Sequence, residues 1–243
     1  MLDFSMNVDG DVENLFNAKA KTWNQKYEPG GRLASRAATF LELTERFLSP
    51  NGRILDLGCG TGAIASTLAA RGFRLTACDI AEEMIQAGKR NYRDSAIEWF
   101  LLASDWKHLP FAPNTFDGII ASSVVEYVSD LDAVFAECQR VLKPGGYLVA
   151  TVPNPRNLVR RLEKILHRPV MLASQMPIFN HVSRLQAYVS YLKFSRNRMP
   201  LTQWFELGRR AGFSAVKQGK GRYGKGPLVH LVFRKTDDNP KKV

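Results

Sequence analysis

The strongest constraint on what this chain can fold into is the stretch Arg53–Ile80, RILDLGCGTGAIASTLAARGFRLTACDI. An apolar run, Ile54-Leu55-Asp56-Leu57, breaks into Gly58-Cys59-Gly60-Thr61-Gly62 and continues as an apolar-rich helical segment to Arg71-Gly72. A second apolar run, Phe73–Cys78, then stops at Asp79. Strand-length runs that are almost wholly apolar imply burial on both faces of a sheet, so the pattern reads strand, glycine turn, helix, strand, acid. Glycines let the backbone approach a ligand at the helix N-terminus, and an acid closing the second strand can hold both hydroxyls of a ribose. Such a βαβ unit suits a cofactor that contains a nucleoside.

Gly58, Gly60 and Ala63 also satisfy the dinucleotide pattern G-x-G-x-x-G/A, with Asp79 at about the expected ~20-residue distance. Asp56 argues against a dinucleotide. Its carboxylate, two residues before the first glycine, would repel a pyrophosphate but attract the ammonium of an amino-acid-bearing nucleoside. D-x-G-x-G-x-G followed by an acid at the end of the next strand resembles the first two motifs of the class I S-adenosylmethionine-dependent methyltransferases. Further on, Ser104-Asp105-Trp106-Lys107-His108-Leu109-Pro110-Phe111 resembles the family's third motif, and Arg140-Val141-Leu142-Lys143-Pro144-Gly145-Gly146 before a strand is a frequent signature in it. The resemblance covers Arg53 to about Val152, and is loose beyond Pro153.

The resemblance implies S-adenosyl-L-methionine as cofactor. It implies an α/β, Rossmann-like fold, with a seven-stranded, mostly parallel sheet, helices on both faces and an antiparallel last strand. It assigns Asp56 to the methionine ammonium, Gly58, Gly60 and Gly62 to close backbone approach, Asp79 to the ribose, and Asp105 with Trp106 to the adenine. Ile80 and Ser122, which follow the ends of the second and fourth strands, belong to the same cofactor cleft. Trp23 and Tyr27 in the helical stretch Asn14–Tyr27 resemble lid aromatics; packing onto the domain is the alternative, favoured for Trp23.

At 243 residues the chain fits one domain with an elaboration. Residues 1–52 read as N-terminal helices and lid, 53–154 as the cofactor-binding core, 155–200 as a helical cap inserted after the fifth strand, 201–236 as a helix and β-hairpin, and 237–243 as a tail. Leu33–Leu48, Glu82–Arg93, a segment capped by Asp130, and Leu201–Gly212 read as helices. Ile97–Leu102, Phe116–Ser122, Tyr147–Val152, Phe213–Gln218 and Leu228–Phe233 read as strands. Cys59, Cys78 and Cys138 are odd in number and far apart, so neither a disulfide framework nor a metal site is expected. A reducing, cytoplasmic location follows, and no run of ~18 apolar residues exists to cross a membrane.

The formal charge of +11 is concentrated at one end, because residues 155–243 hold 19 Lys and Arg against 4 Asp and Glu. Asn157–Arg168 reads as a basic amphipathic helix, with Leu158, Val159, Leu162, Ile165 and Leu166 on one face and Arg160, Arg161, Lys164, His167 and Arg168 largely on the other. His181–Phe194 reads as a second cap helix. The turn Gly219–Gly226, with Lys220, Arg222 and Lys225, falls at the sheet edge where the cap begins, so basic segments would rim one mouth. That rim suits an anionic acceptor or peripheral contact with an anionic membrane. Single-stranded RNA is the competing partner, since Tyr188, Tyr191 and Tyr223 could stack bases. A non-catalytic cofactor-binding protein that docks on membrane or nucleic acid is a further alternative.

Methyl transfer from a sulfonium needs alignment and exclusion of water more than a catalytic group. The expected acceptor is a small or lipid-like, anionic or aromatic metabolite, with O-methylation favoured over N- or C-methylation. A hydroxyl acceptor requires a base within hydrogen-bond reach, and the candidates are His108, Glu126, Tyr127 and His181. Val124-Val125-Glu126-Tyr127-Val128 resembles the Glu-His-Val segment of ubiquinone-biosynthesis O-methyltransferases, with Tyr127 in place of the His. That replacement argues against a His base and against metal-assisted catechol chemistry at this position.

Overall fold

The computed structural model describes residues 8–31, 33–163, 165, 189, 191–216 and 226–236. In chain order these form α1 (Val8–Asn17), α2 (Ala20–Trp23), a 3-10 turn (Asn24–Lys26), α3 (Ala34–Phe47), β1 (Arg53–Leu57), α4 (Ala63–Ala69), β2 (Arg74–Asp79), α5 (Glu82–Asn91) and β3 (Ile97–Leu101). β4 (Phe116–Ala121), α6 (Leu131–Val141), β5 (Leu142–Pro153), α7 (Leu201–Arg210), β6 (Phe213–Ala215) and β7 (Leu228–Lys235) follow.

The seven strands make one sheet in the order β3-β2-β1-β4-β5-β7-β6. β1 pairs in parallel with β2 and β4, and β7 lies antiparallel to both β5 and β6, so β7 alone is reversed. This is the expected fold. α3 and α4 cover one face through Phe40, Leu43, Ile64 and Leu68. α6 and α7 cover the other through Val134, Phe135 and Trp204, and Phe135 meets Phe233 of β7 edge to face. The two apolar faces explain why β1 and β4 read as continuous apolar runs. The Asp130 cap is present, its Oδ1 accepting from the Ala133 amide at 2.9 Å.

Three expectations change. The N-terminal helical stretch breaks at Ala18–Lys19, and the break turns Phe16 and Trp23 edge to face with ring centroids 5.6 Å apart. β5 begins at Leu142 rather than Tyr147. Phe116 pairs with Leu142 but Gly118 with Tyr147, so Lys143-Pro144-Gly145-Gly146 is looped out as a bulge, with Gly145 at φ +73°.

The third concerns which side of the basic helix after β5 meets the domain. Leu158, Leu162 and Ile165, which form its apolar face, are 71%, 55% and 70% exposed. Arg160 instead turns inward, its side chain 12% exposed, and pairs with buried Glu163 at 3.0 Å; Arg198 reaches the same carboxylate at 3.4 Å. The guanidiniums of Arg160 and Arg198 lie 5.4 and 5.2 Å from the Tyr191 ring centre. Most of the expected second cap helix, residues 219–225 of the turn and the tail lie outside the described residues.

Candidate active site

In an open α/β sheet whose strand order reverses between β1 and β4, the crevice at the carboxyl ends of those strands is the place for a ligand. A cavity of about 750 Å³ opens there, floored by Asp56, Gly58, Gly60 and Asp79 and walled by α3 and the N-terminal helices. Tyr27, Ile80, Asp105, Trp106 and Ser122 also line it, as do Glu126 and Tyr127, so most of the residues singled out from the sequence converge on one space.

Asp79 organises the glycine turn. Its Oδ2 accepts from the Gly60 amide at 2.7 Å and its Oδ1 from the Ala81 amide at 2.9 Å. Burial pushes the Asp79 carboxyl up, and the amides of Ala81, Gly60 and Ile80 offset this in part. Gly60 has φ +55°, and a Cβ there would sit 2.9 Å from the Trp23 indole nitrogen. Trp23 is therefore a wall of the cavity and not only a packing residue. Gly62, at φ +77°, abuts the Trp99 ring, where a Cβ would stand 2.3 Å from the nearest ring atom, and Gly62 does not line the cavity. Its glycine serves the seating of Trp99 as well as the turn.

Asp56 is 1% exposed, and neither carboxylate oxygen has a hydrogen-bond partner among the described residues. Burial first and the neighbouring Asp79 second push its pKa up to about 8; the Ala65 amide opposes this without closing a hydrogen bond. A buried, unpartnered carboxyl is costly to keep, and it suits a cationic ligand group.

Glu126 is 2% exposed and its Oε2 accepts from the Ser195 hydroxyl at 2.8 Å. Burial raises its pKa against the pull of Ser195, Arg160, Arg198 and Arg36. The segment 195–197 clamps this turn: the amides of Arg196 and Asn197 donate to the Glu126 carbonyl at 2.9 and 3.2 Å. Tyr127 meets Phe16 edge to face at 5.3 Å, and burial, then the Glu126 charge, lift its hydroxyl well above the usual phenol range.

His108 is not brought to the cavity. Its side chain is 87% exposed and faces Glu137 at 3.4 Å, where Arg140 holds the Glu137 carboxyl down at about 2. His181 lies outside the described residues. The sequence reading missed Arg36, Ser123 and Glu163, which also line the cavity; helical periodicity carries no mark of which polar residue faces a ligand. Among the described residues no cluster of three or more metal-ligating side chains is present.

A family model described as a methyltransferase domain matches residues 55–150. The chain is 36% identical over 113 residues to a ubiquinone/menaquinone biosynthesis C-methyltransferase of Desulfotalea psychrophila, covering 44% of this chain and 45% of that one. It is 32% identical over 185 residues to a demethylmenaquinone methyltransferase of Clavibacter sepedonicus, covering 72% of this chain and 71% of the relative. This chain belongs to the class I S-adenosylmethionine-dependent methyltransferases. The methyltransferase fold is matched by the Haemonchus contortus phosphoethanolamine N-methyltransferase 2 solved in complex with S-adenosyl-L-methionine. The TM-score is 0.61 at 19% identity, covering 88% of this chain and 46% of that one. The chain spans between about a fifth and about half of the length of several curated relatives that it matches.

S-adenosylmethionine is the cofactor of this family, and the residues present fit it. A sulfonium nucleoside carrying an amino acid needs an acid for its ammonium, close backbone at the helix N-terminus and an acid for its ribose. The methyltransferase cavity supplies Asp56, Gly58 with Gly60, and Asp79.

Proposed function

We propose that this methyltransferase transfers the methyl group of S-adenosylmethionine to a small, lipid-like acceptor with an acidic or aromatic head. The acceptor loses a proton as it gains the methyl. The cofactor, when bound, supplies a methyl already activated by the sulfonium charge. The observation that carries the reading is Asp56, buried and without a partner among the described residues, beside a glycine turn that Asp79 ties down. Asp56 would take the ammonium, Asp79 the ribose, Gly58 and Gly60 the close approach, Asp105 and Trp106 the adenine, and Tyr27, Ile80 and Ser122 the rest of the cleft.

On the acceptor side Glu126 is the proton acceptor, because it lies in the cavity and burial brings its pKa toward the range a base needs. Tyr127 orients the acceptor rather than deprotonating it. Glu126 would serve a phenolic hydroxyl, the favoured O-methyl acceptor, or the activated ring carbon beside one, which the resemblance to quinone C-methyltransferases supports. Incubating the protein and an isotopically labelled methyl donor with a cell extract is expected to label small, extractable lipids. NMR of the labelled product separates O- from C-methyl. Label confined to RNA would support the competing partner, and no label at all a non-catalytic role.

The lipid-like assignment draws on the exposed stripe. Leu158, Leu162 and Ile165 face solvent on the segment whose Val159 and Arg160 line the cavity, and exposed Arg156 and Arg161 lie on the same segment. An apolar stripe flanked by cations at the mouth of a cavity suits the surface of an anionic bilayer. No described helix is long and apolar enough to cross a membrane. Replacing Leu158, Leu162 and Ile165 together by Ser is expected to cut sedimentation with phosphatidylglycerol vesicles about tenfold while leaving cofactor affinity unchanged. Equal sedimentation of variant and wild type would remove the bilayer contact.

A further inference from the structure

Buried carboxylates are ordinarily paired with a cation. Glu126 is not, although three cations face it: Arg36 from α3, Arg160 from the segment after β5 and Arg198 from the segment before α7. Among the described residues none of them comes within ion-pair distance of its carboxylate. Arg160 and Arg198 are drawn to Glu163, at 3.0 and 3.4 Å, and Arg36 donates to the hydroxyls of Ser122 and Ser123, at 3.3 and 3.1 Å. Tyr127, whose hydroxyl feels the Glu126 charge, adds no cation. What reaches the carboxylate is a neutral group, the Ser195 hydroxyl, on Oε2 at 2.8 Å. Ser195 is 2% exposed and does not line the cavity. The residues after it fix its place. The amides of Arg196 and Asn197 donate to the Glu126 carbonyl, and the Asn197 side-chain amide donates to the carbonyls of Val125 and Val128 at 2.8 and 2.9 Å.

Arg198 decides which way the serine proton points. Its Nε lies 2.8 Å from the Ser195 carbonyl and 3.3 Å from the Ser195 Oγ. A guanidinium can only donate, so the lone-pair side of the hydroxyl faces Arg198 and its proton turns to Glu126 Oε2. Glu126 Oε1 has no hydrogen-bond partner among the described residues, and Glu126 lines the cavity. We infer that Ser195, oriented by Arg198, is a positioning residue for methyl transfer: it occupies Oε2 of Glu126 and leaves Oε1 to take the proton that the acceptor gives up. That proton passes to Oε1 as the acceptor's bond to the methyl carbon forms, and the carbon–sulfur bond breaks with its electron pair left on sulfur. The inference rests on the assignment of Glu126 as proton acceptor. A hydroxyl suits this task better than a guanidinium would. Arg140, paired with Glu137 at 2.7 Å, holds that carboxyl down at about 2, too acidic to act as a base near neutral pH. One neutral donor steadies Glu126 without that loss of basicity.

Ser195→Ala tests this in the intact chain, and Arg198 keeps the carbonyl of residue 195 as an acceptor, so the substitution strands no guanidinium. Carbon-13 NMR of selectively labelled glutamate follows the Glu126 carboxyl in the free protein, its resonance assigned by its loss in Glu126→Gln. The hydroxyl favours the ionised form, so Ser195→Ala is expected to titrate about one pH unit above wild type. Methyl transfer is followed with isotopically labelled S-adenosylmethionine and the lipid fraction of a cell extract as acceptor. The acid limb of its rate should move up by about the same unit. Below the wild-type midpoint the variant should be about tenfold slower, and the two rates should converge as pH rises past both midpoints. An unmoved Glu126 titration, or a loss of rate by the same factor at every pH, makes Ser195 a merely structural residue and overturns the inference. If Glu126→Gln removes the acid limb while Ser195→Ala leaves it in place, the inference falls and Glu126 stands as the base. A wild-type pH profile in Glu126→Gln removes the base assignment, and the inference with it.

Discussion

Asp56→Asn is expected to abolish most of the cofactor affinity and, at the same time, to make the free protein more stable. The two effects have one cause. In the free protein the carboxyl is buried with no donor among the described residues, and burial raises its pKa to about 8. A carboxyl whose folded pKa lies above its unfolded value binds more protons folded than unfolded. Its contribution is therefore present at low pH and is lost as pH rises from about 4 through about 8. Wild-type stability should fall over that window, the variant should lack this slope, and its advantage should grow to about 1–3 kcal/mol near pH 8. Thermal melts from pH 5 to 8 check this.

Binding runs the other way. The ammonium requires the ionised carboxylate, so at pH 7 wild type should release about one proton on binding, and affinity should rise with pH between 6 and 7.5. Calorimetry in buffers of different ionisation enthalpy reads the proton directly. The Asn variant should release none from this site and bind roughly 100-fold more weakly, because it leaves a cation without its counter-charge in a buried cleft. An Asn variant with unchanged affinity would sink the role given to Asp56.

Asp79→Ala is expected to damage affinity and stability together, which distinguishes it from the first variant. Its carboxylate holds the Gly60 and Ala81 amides at 2.7 and 2.9 Å, so truncation leaves two buried donors unpaired. Each such donor costs about 1–3 kcal/mol if water cannot reach it. The ribose loses a charge-assisted hydrogen-bond pair as well, worth roughly 1–3 kcal/mol in affinity. Asp79→Asn keeps one acceptor oxygen and should recover part of the stability but less of the affinity. Unchanged calorimetric affinity for Asp79→Ala would count against the ribose assignment.

The residues legible from the sequence are those whose chemistry is local. A positive-φ glycine such as Gly60, and an acid two residues before such a turn or at the end of the next strand, are marked by spacing alone. So was the Asp130 cap. The expected seven strands follow from apolar runs and their order, and the reversed β7 from the resemblance to the methyltransferases. In the basic segment after β5 the two faces were legible but not which of them is buried. Periodicity says that Leu158, Leu162 and Ile165 share a side, but not whether that side meets the core or solvent, and Glu163 drew Arg160 inward. Arg36 was invisible for a related reason. It lies in a helix that packs on α4 and β5, and its partners Ser122 and Ser123 are 86 and 87 residues away. His108 followed a motif yet points to Glu137, because the Glu137–Arg140 pair lies outside the cleft.

The most direct test is a pair of calorimetric titrations of the intact chain at pH 7.5, one with S-adenosylmethionine and one with NAD, whose glycine pattern this sequence also satisfies. The expected result is one molecule of the sulfonium nucleoside bound per chain with release of a proton, and no heat from the dinucleotide. Saturable binding of NAD together with none of S-adenosylmethionine would contradict the assignment of Asp56 and Asp79 to opposite ends of a methyl donor.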